Sequence, residues 1–171
     1  WGGYGYLKRT FSHRTKPYLL GGYWGHSGND PATKDRDEGW DPLFARWPKW
    51  SEAYIYSQFP ERGVAYWTND SIWQAEFGMT PTKRMDARVT YYHIGAFQPF
   101  SAGPAKVFAD GTMRGHQVQG RLGFTLTKDL TGHVLYERHS PGSFYTGHDA
   151  GYFLRFEVIY QMKWKHAGSL L

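Results

Sequence analysis

The sequence of 171 residues contains no cysteine, so it can form neither a disulfide bond nor a thiolate metal site. It has no apolar stretch that approaches the roughly 18 residues needed for a membrane-spanning helix. No segment has apolar residues at a convincing helical period of 3.6. These absences exclude a disulfide framework, a thiolate-bound metal and a helical membrane span, and they favour an all-β fold.

Motifs for catalysis and for metal binding are missing as well. The eight histidines show no HExxH spacing, and only His133 and His139 approach a pair on one strand face, so solvated or interfacial histidines are favoured over metal ligands. No phosphate-binding glycine loop and no set of nucleophile, base and orienting residue can be placed. The acidic loop around 29–41 departs from the EF-hand pattern at Gly39, which favours a solvated loop over a calcium site. We therefore predict a protein that is not an enzyme and that has no metal or cofactor.

The composition of the chain favours β structure and an interface. Aromatic residues make up 19% of the sequence, and its 21 glycines suit turns and close strand packing. The net charge of +5 suggests anionic partners. The mean hydropathy of −0.63 is compatible with a membrane barrel, because half of each strand in such a barrel is polar. Because the sequence begins with Trp1 and shows no signal peptide, we expect a mature or truncated piece.

The longest alternation of apolar and polar residues is YFLRFEVIYQMKW, Tyr152–Trp164. Every second residue from Tyr152 is apolar, and Arg155, Glu157 and Lys163 lie between them. This period of two predicts a β-strand with one apolar and one polar face. Its length exceeds that of most soluble strands and matches the roughly 9–11 tilted residues that cross a bilayer. The apolar face would contact a core in a soluble barrel or sandwich, and lipid in an outer-membrane barrel.

The same alternation predicts about seven strands in all. The other six are Gly3–Phe11, Pro17–His26, Ile72–Met79, Asp86–Phe97, His116–Leu126 and Gly132–His139. Bacterial single-chain barrels have an even number of strands, so we expect either the C-terminal part of a larger barrel or extra strands around Glu52–Ser57 and Val64–Thr68.

The lengths of the connections separate the two alternatives. Short turns with the sequences FSHRT, PTKR and KDLT alternate strictly with long connections at about 27–69, 98–114 and 140–149. Membrane barrels have short periplasmic turns and long outer loops, whereas a soluble meander has no reason to alternate. The alternation predicts an antiparallel up-and-down transmembrane β-barrel over residues 1–171. The alternative is a soluble β-barrel or sandwich that binds an apolar or sugar ligand.

Four stretches of sequence point to a known family: Trp40–Ser57, Gly63–Asn69, Leu130–Tyr145 and Asp149–Met162. Together they resemble the C-terminal half of the alginate-export-like family of outer-membrane β-barrels. The resemblance implies an 18-stranded barrel in the bacterial outer membrane, with a basic lumen that passes an anionic polysaccharide. The chain departs from that family in supplying too few strands, and in continuing with KHAGSLL after Trp164, where the family has a terminal aromatic residue.

The predicted polar faces supply a candidate path for an anionic solute. Its residues are Arg88, Arg121, Arg155, Glu137, Glu157 and Gln119. Guanidinium groups bind carboxylates with forked hydrogen bonds, and neighbouring acids would keep binding weak enough for release. The alternative is that these charges neutralise each other across strands and fill a solvated interior. Three tryptophans of the first long loop, Trp40, Trp47 and Trp50, are expected to pack that loop onto the rim.

The predicted function is therefore an outer-membrane channel or export porin for an anionic solute. The expected partners are membrane lipid and an anionic polysaccharide or small anion, with periplasmic export partners left unnamed. No nucleic acid is expected as a partner.

Overall fold

The computed structural model describes residues 1–41, 43, 50–52, 68–99 and 107–162. Within these ranges, seven antiparallel strands form one sheet in which each strand lies beside its neighbour in the chain. The strands are β1 (Gly2–Thr10), β2 (Tyr18–His26), β3 (Asp70–Thr82), β4 (Met85–Gly95), β5 (Met113–Thr127), β6 (Leu130–Pro141) and β7 (Gly151–Tyr160). The described part of the chain contains no helix with the length and apolar character of a membrane span.

The predicted all-β, antiparallel up-and-down arrangement is confirmed, but the predicted closure is not. The sheet is open, because in the described ranges β1 pairs only with β2 and β7 pairs only with β6. The last strand is also shorter than the predicted Tyr152–Trp164 and ends at Tyr160. The Gln161 amide still donates a 2.9 Å hydrogen bond to the carbonyl of Asp129 in the turn that precedes β6. Trp164 lies outside the described residues.

Short and long connections leave opposite ends of the sheet. Residues 11–17, 83–84 and 128–129 join strands at the turn end, and residues 27–69, 96–112 and 142–150 join them at the loop end. The two-residue turns follow from strands that pair directly up to the turn. The extra strands considered around Glu52–Ser57 and Val64–Thr68 lie almost wholly outside the described residues.

The register assigns every strand residue to one of two faces, because directly opposed residues in a sheet project to the same side. One row across β3 to β7 reads Glu76, Thr90, Gln119, Glu137 and Phe153. The adjacent row on the other side reads Phe77, Val89, Gly120, Tyr136 and Leu154. We call the first side the polar face and the second side the apolar face.

The polar face also carries the larger hydrophobic cluster. Trp24, Ile72, Tyr92 and Ile94 project from β2, β3 and β4, and Trp50 of the first long connection packs against them. Burying an aromatic side chain of this size is strongly favourable, so the cluster holds the connection on the polar face.

A β-bulge at the loop end positions the three long connections. The register shifts at Gly95, and Gly115 adopts a φ of 141°, where a Cβ would lie 2.2 Å from the Ser140 carbonyl oxygen. The bulge turns Arg114 into a buried site, where it donates hydrogen bonds to the carbonyls of Asn69 and Gly95 and stacks on Phe144. Asn69, Gly95 and Phe144 lie at the ends of three different long connections, so the guanidinium of Arg114 contacts all three connections.

Candidate functional site

The six residues predicted to line a solute path all lie on the polar face. The register also aligns the three arginines in one row, because Arg88 opposes Arg121, Arg121 opposes Leu135, and Leu135 opposes Arg155. Alternation within single strands indicates a face but gives no cross-strand alignment. The row is therefore a result of the strand pairing.

A small polar cavity opens between this row and the first long connection. It has a volume of about 120 Å³ and is lined by Arg88, Arg121, Arg155, Gln119, His133, Leu135, Ser51 and Glu52. The cavity brings three guanidinium groups to the same polar space, which is an arrangement that favours anions over cations.

Two of the three arginines have carboxylate partners. Arg121 donates to Asp86 Oδ2 at 2.9 Å, and Arg155 donates to both oxygens of Glu52 at 2.9 and 3.3 Å. Glu157 lies farther from Arg155, with 3.7 Å between Oε2 and Nε. In the described ranges, no carboxylate lies within ion-pair distance of Arg88. The pairing predicted as the alternative to a solute path therefore applies to Arg121 and Arg155.

Glu137 and Gln119 form a buried hydrogen-bond network with the first long connection. Glu137 is 1% exposed and accepts hydrogen bonds from the Ser51 hydroxyl and the Gln119 amide, both at 2.6 Å. The Glu52 backbone amide and the Gln117 side chain also donate to it, at 3.1 and 3.3 Å. A buried carboxylate is stable only when donors replace its lost water. Glu137 and Gln119 thus anchor the long connection, and Gln119 also borders the cavity.

The residues that sequence reasoning missed are Ser51 and Glu52. They belong to a short stretch of the first long connection, residues 50–52, which lies on the polar face. Trp50 packs the first long connection onto the polar face near the loop end, in the polar-face cluster. Trp40 does lie at the loop end, with its ring centroid 6.0 Å from that of His26, and Trp47 lies outside the described residues.

Histidines lie on both faces. His133 borders the cavity, with Nε2 3.0 Å from an Arg155 nitrogen. His93 and His116 contact each other across β4 and β5 on the apolar face, with ring centroids 5.1 Å apart and the rings tilted, and the Tyr91 hydroxyl lies 2.5 Å from His116 Nδ1. Among the residues that the structure describes, no group of three or more potential ligands is arranged to hold a metal ion.

The apolar face exposes large hydrophobic side chains to the surroundings. On β7, Leu154 is 71% exposed, Phe156 is 68% exposed and Tyr160 is 66% exposed, and Val158 is exposed as well. This confirms the prediction that the apolar side of β7 is not packed into a core. Other exposed residues on the same face are Trp73, Phe77, Val89, Val118, Leu122 and Tyr136. A contiguous apolar surface of this kind marks an interaction site for protein or membrane.

The chain matches no protein-family model, no curated protein and no solved structure. The resemblance to alginate-export-like barrels is therefore carried only by the sequence stretches that suggested it. The functional argument depends on the chemistry of the two faces.

Proposed function

We propose that this chain forms part of a β-barrel channel in the bacterial outer membrane, which passes an anionic solute along the polar face. The observation that carries this proposal is the opposite character of the two faces of one sheet. Large apolar side chains are exposed on one side, and arginines, glutamines and carboxylates cover the other. A soluble sheet buries its apolar face, whereas a membrane barrel presents that face to lipid.

The order of side chains along the apolar face supports a lipid contact. The two middle rows across β3 to β7 contain only apolar residues and glycine, apart from the Tyr136 hydroxyl: they are Phe77, Val89, Gly120, Tyr136 and Leu154, then Met79, Ala87, Leu122, Val134 and Phe156. Toward the loop end the row becomes Trp73, His93, His116 and Ser140. Aromatic and polar residues at the edge of an apolar band are typical of barrels at the level of the lipid headgroups.

The row of arginines supports an anionic solute. Arg88, Arg121 and Arg155 border one cavity, and each guanidinium offers forked donors that match a carboxylate or a phosphate. Partial neutralisation by Asp86 and Glu52 would keep the affinity low enough for release. The resemblance to alginate-export-like barrels suggests an acidic polysaccharide as the solute.

Closure of the barrel would require partners for β1 and β7. A larger barrel, such as the 18-stranded one implied by the resemblance, would supply them. Short turns at the periplasmic end and long loops at the outer end then follow from the connection lengths.

Depth-dependent quenching tests the placement of the faces. Vesicles with brominated acyl chains should quench the tryptophan fluorescence of the reconstituted protein. Trp73→Phe should remove a large part of that quenching, because Trp73 lies on the apolar face and is exposed. Trp24→Phe should leave the quenching nearly unchanged, because Trp24 is buried on the polar face. Equal effects of both substitutions, or no quenching at all, would favour the soluble ligand-binding alternative.

Transport is tested by release of solutes from vesicles that hold the closed barrel, in which β1 and β7 have their partners. That barrel should release an anionic solute such as gluconate faster than a cation of similar size. Equal release of both, or release of neither, would contradict an anion channel.

A further inference from the structure

We propose that Glu52 is a tethered competitor of the anionic solute, because its carboxylate occupies the guanidinium of Arg155 within the row of arginines. This inference rests on the proposed function and deepens it. It assigns to the first long connection a residue that determines how strongly the polar face binds carboxylates.

The contact between the two residues has the geometry of a bound carboxylate. Arg155 Nη1 and Nη2 donate to the two oxygens of Glu52 at 2.9 and 3.3 Å. These forked donors are the ones that an incoming carboxylate would use, so Glu52 and a solute cannot occupy them together.

The residues that bring Glu52 to Arg155 are held by contacts that do not involve Arg155. The Ser51 hydroxyl and the Glu52 backbone amide both donate to Glu137, and Trp50 packs in the polar-face cluster. The Glu52 side chain can therefore leave Arg155 while its backbone stays anchored. The competition is a change of side-chain position and does not require the long connection to leave the sheet.

The pair is solvated enough to exchange. The side chains of Arg155 and Glu52 are 23% and 30% exposed. Ion pairs that water reaches are weak, because both charges keep much of their hydration. A solute carboxylate can therefore displace Glu52, whereas a fully buried pair would be held in place.

A cavity beside the ion pair can hold an incoming carboxylate before it reaches Arg155. The cavity of about 120 Å³ lies beside the pair and is lined by Arg88 and Arg121 as well. In the described part of the chain Arg88 has no carboxylate partner within ion-pair distance. A solute carboxylate would meet Arg88 and then compete with Glu52 for Arg155.

Gluconate is a suitable probe, because it carries one carboxylate and several hydroxyl groups. Its binding to the full chain in detergent can be followed by an NMR titration. Glu52→Gln should tighten binding, by roughly tenfold if Glu52 occupies Arg155 nine-tenths of the time, since apparent affinity scales with the fraction of competent sites. The matched control is Glu157→Gln, which removes the same charge but only a 3.7 Å contact with Arg155 Nε. This control should tighten binding much less.

The double variant Glu52→Gln/Arg155→Gln separates competition from net charge. The double variant should not show the increase in gluconate affinity that Glu52→Gln gives alone, because the Arg155 donors for which Glu52 and gluconate compete are gone. Equal tightening by Glu52→Gln and Glu157→Gln, or a gain that survives in the double variant, would overturn the inference. The titration needs no ion current, so a protein that binds as expected but releases no solute would contradict the proposed function and leave the inference standing. If the barrel releases the solute but Glu52→Gln and Glu157→Gln bind gluconate equally well, the inference about Glu52 is wrong and the proposed function stands.

Discussion

The Ser51 hydroxyl donates a 2.6 Å hydrogen bond to the carboxylate of Glu137, a residue 86 positions away in the sequence. The contact joins the first long connection to the middle of the polar face. Two glutamines of β5 and one backbone amide donate to the same carboxylate, so Glu137 forms the centre of the attachment.

Replacing Glu137 should detach the first long connection from the polar face. Glu137→Ala leaves several buried donors without an acceptor, and we expect the free energy of unfolding to fall by about 3 kcal/mol, at the upper end for a lost charged hydrogen bond. Urea unfolding followed by tryptophan fluorescence measures the loss. Glu157→Ala is the control, since Glu157 contacts His133 and Arg155 only at 3.7 Å and should cost far less. Similar losses for both variants would show that Glu137 is not the anchor.

Two residues of β3 test which face meets lipid. Phe77 is exposed in a middle row of the apolar face, and Gln74 lies on the polar face. Phe77→Arg should lower the folding free energy in vesicles by roughly 2–4 kcal/mol, the cost of a cation at mid-bilayer. Gln74→Arg should cost little, because its side chain remains in water near Glu76. If the two variants fold into vesicles with the same yield, the apolar face does not contact lipid.

Selectivity should depend unequally on the three arginines. Arg88→Gln should reduce anion selectivity more than Arg121→Gln, because Arg121 is already paired with Asp86 at 2.9 Å. Replacing Arg88, Arg121 and Arg155 together by Gln should reduce selectivity further. Reversal potentials of the closed barrel across a planar bilayer under a salt gradient report this effect. The effect should shrink in concentrated salt, because the screening length falls from about 10 Å at 0.1 M to about 3 Å at 1 M. Reversal potentials that stay at the native value in all variants would leave these arginines as structural charges.

Arg114, the buried arginine of the bulge, should keep the long connections ordered. Arg114→Lys keeps the charge but loses the planar fork that reaches the carbonyls of Asn69 and Gly95. We expect faster proteolytic cleavage in the long connections, with a loss of about 1–3 kcal/mol for the unsatisfied carbonyls. Arg138→Lys is the control, because Arg138 is exposed and its main contact is the Tyr152 ring at 5.8 Å. Equal cleavage rates in the two variants would contradict this role.

The seven strands and the two faces of β3 to β7 could be predicted from the sequence, because side chains of an extended backbone alternate by geometry alone. The sequences of β1 and β2 left their faces ambiguous. The alternation around Leu154, Arg155 and Phe156 therefore predicted both the strand and the exposure of its apolar side. Strand ends were less predictable. The alternation continues beyond Tyr160, but the partner strand β6 begins at Leu130, opposite Tyr160, so β7 has no further strand residue to pair with.

The cross-strand row of Arg88, Arg121 and Arg155 depended on the register, which no single strand encodes. The placement of Ser51 and Glu52 depended on tertiary contacts that span 85 to 103 positions in the chain. Such contacts leave no local period, since the stretch 50–52 has no regular alternation of its own. For β3 to β7, the sequence by itself determined which side chains share a face. Only the tertiary structure decided which carboxylate lies on Arg155, because that choice requires a buried anchor at Glu137 and a cluster that holds Trp50.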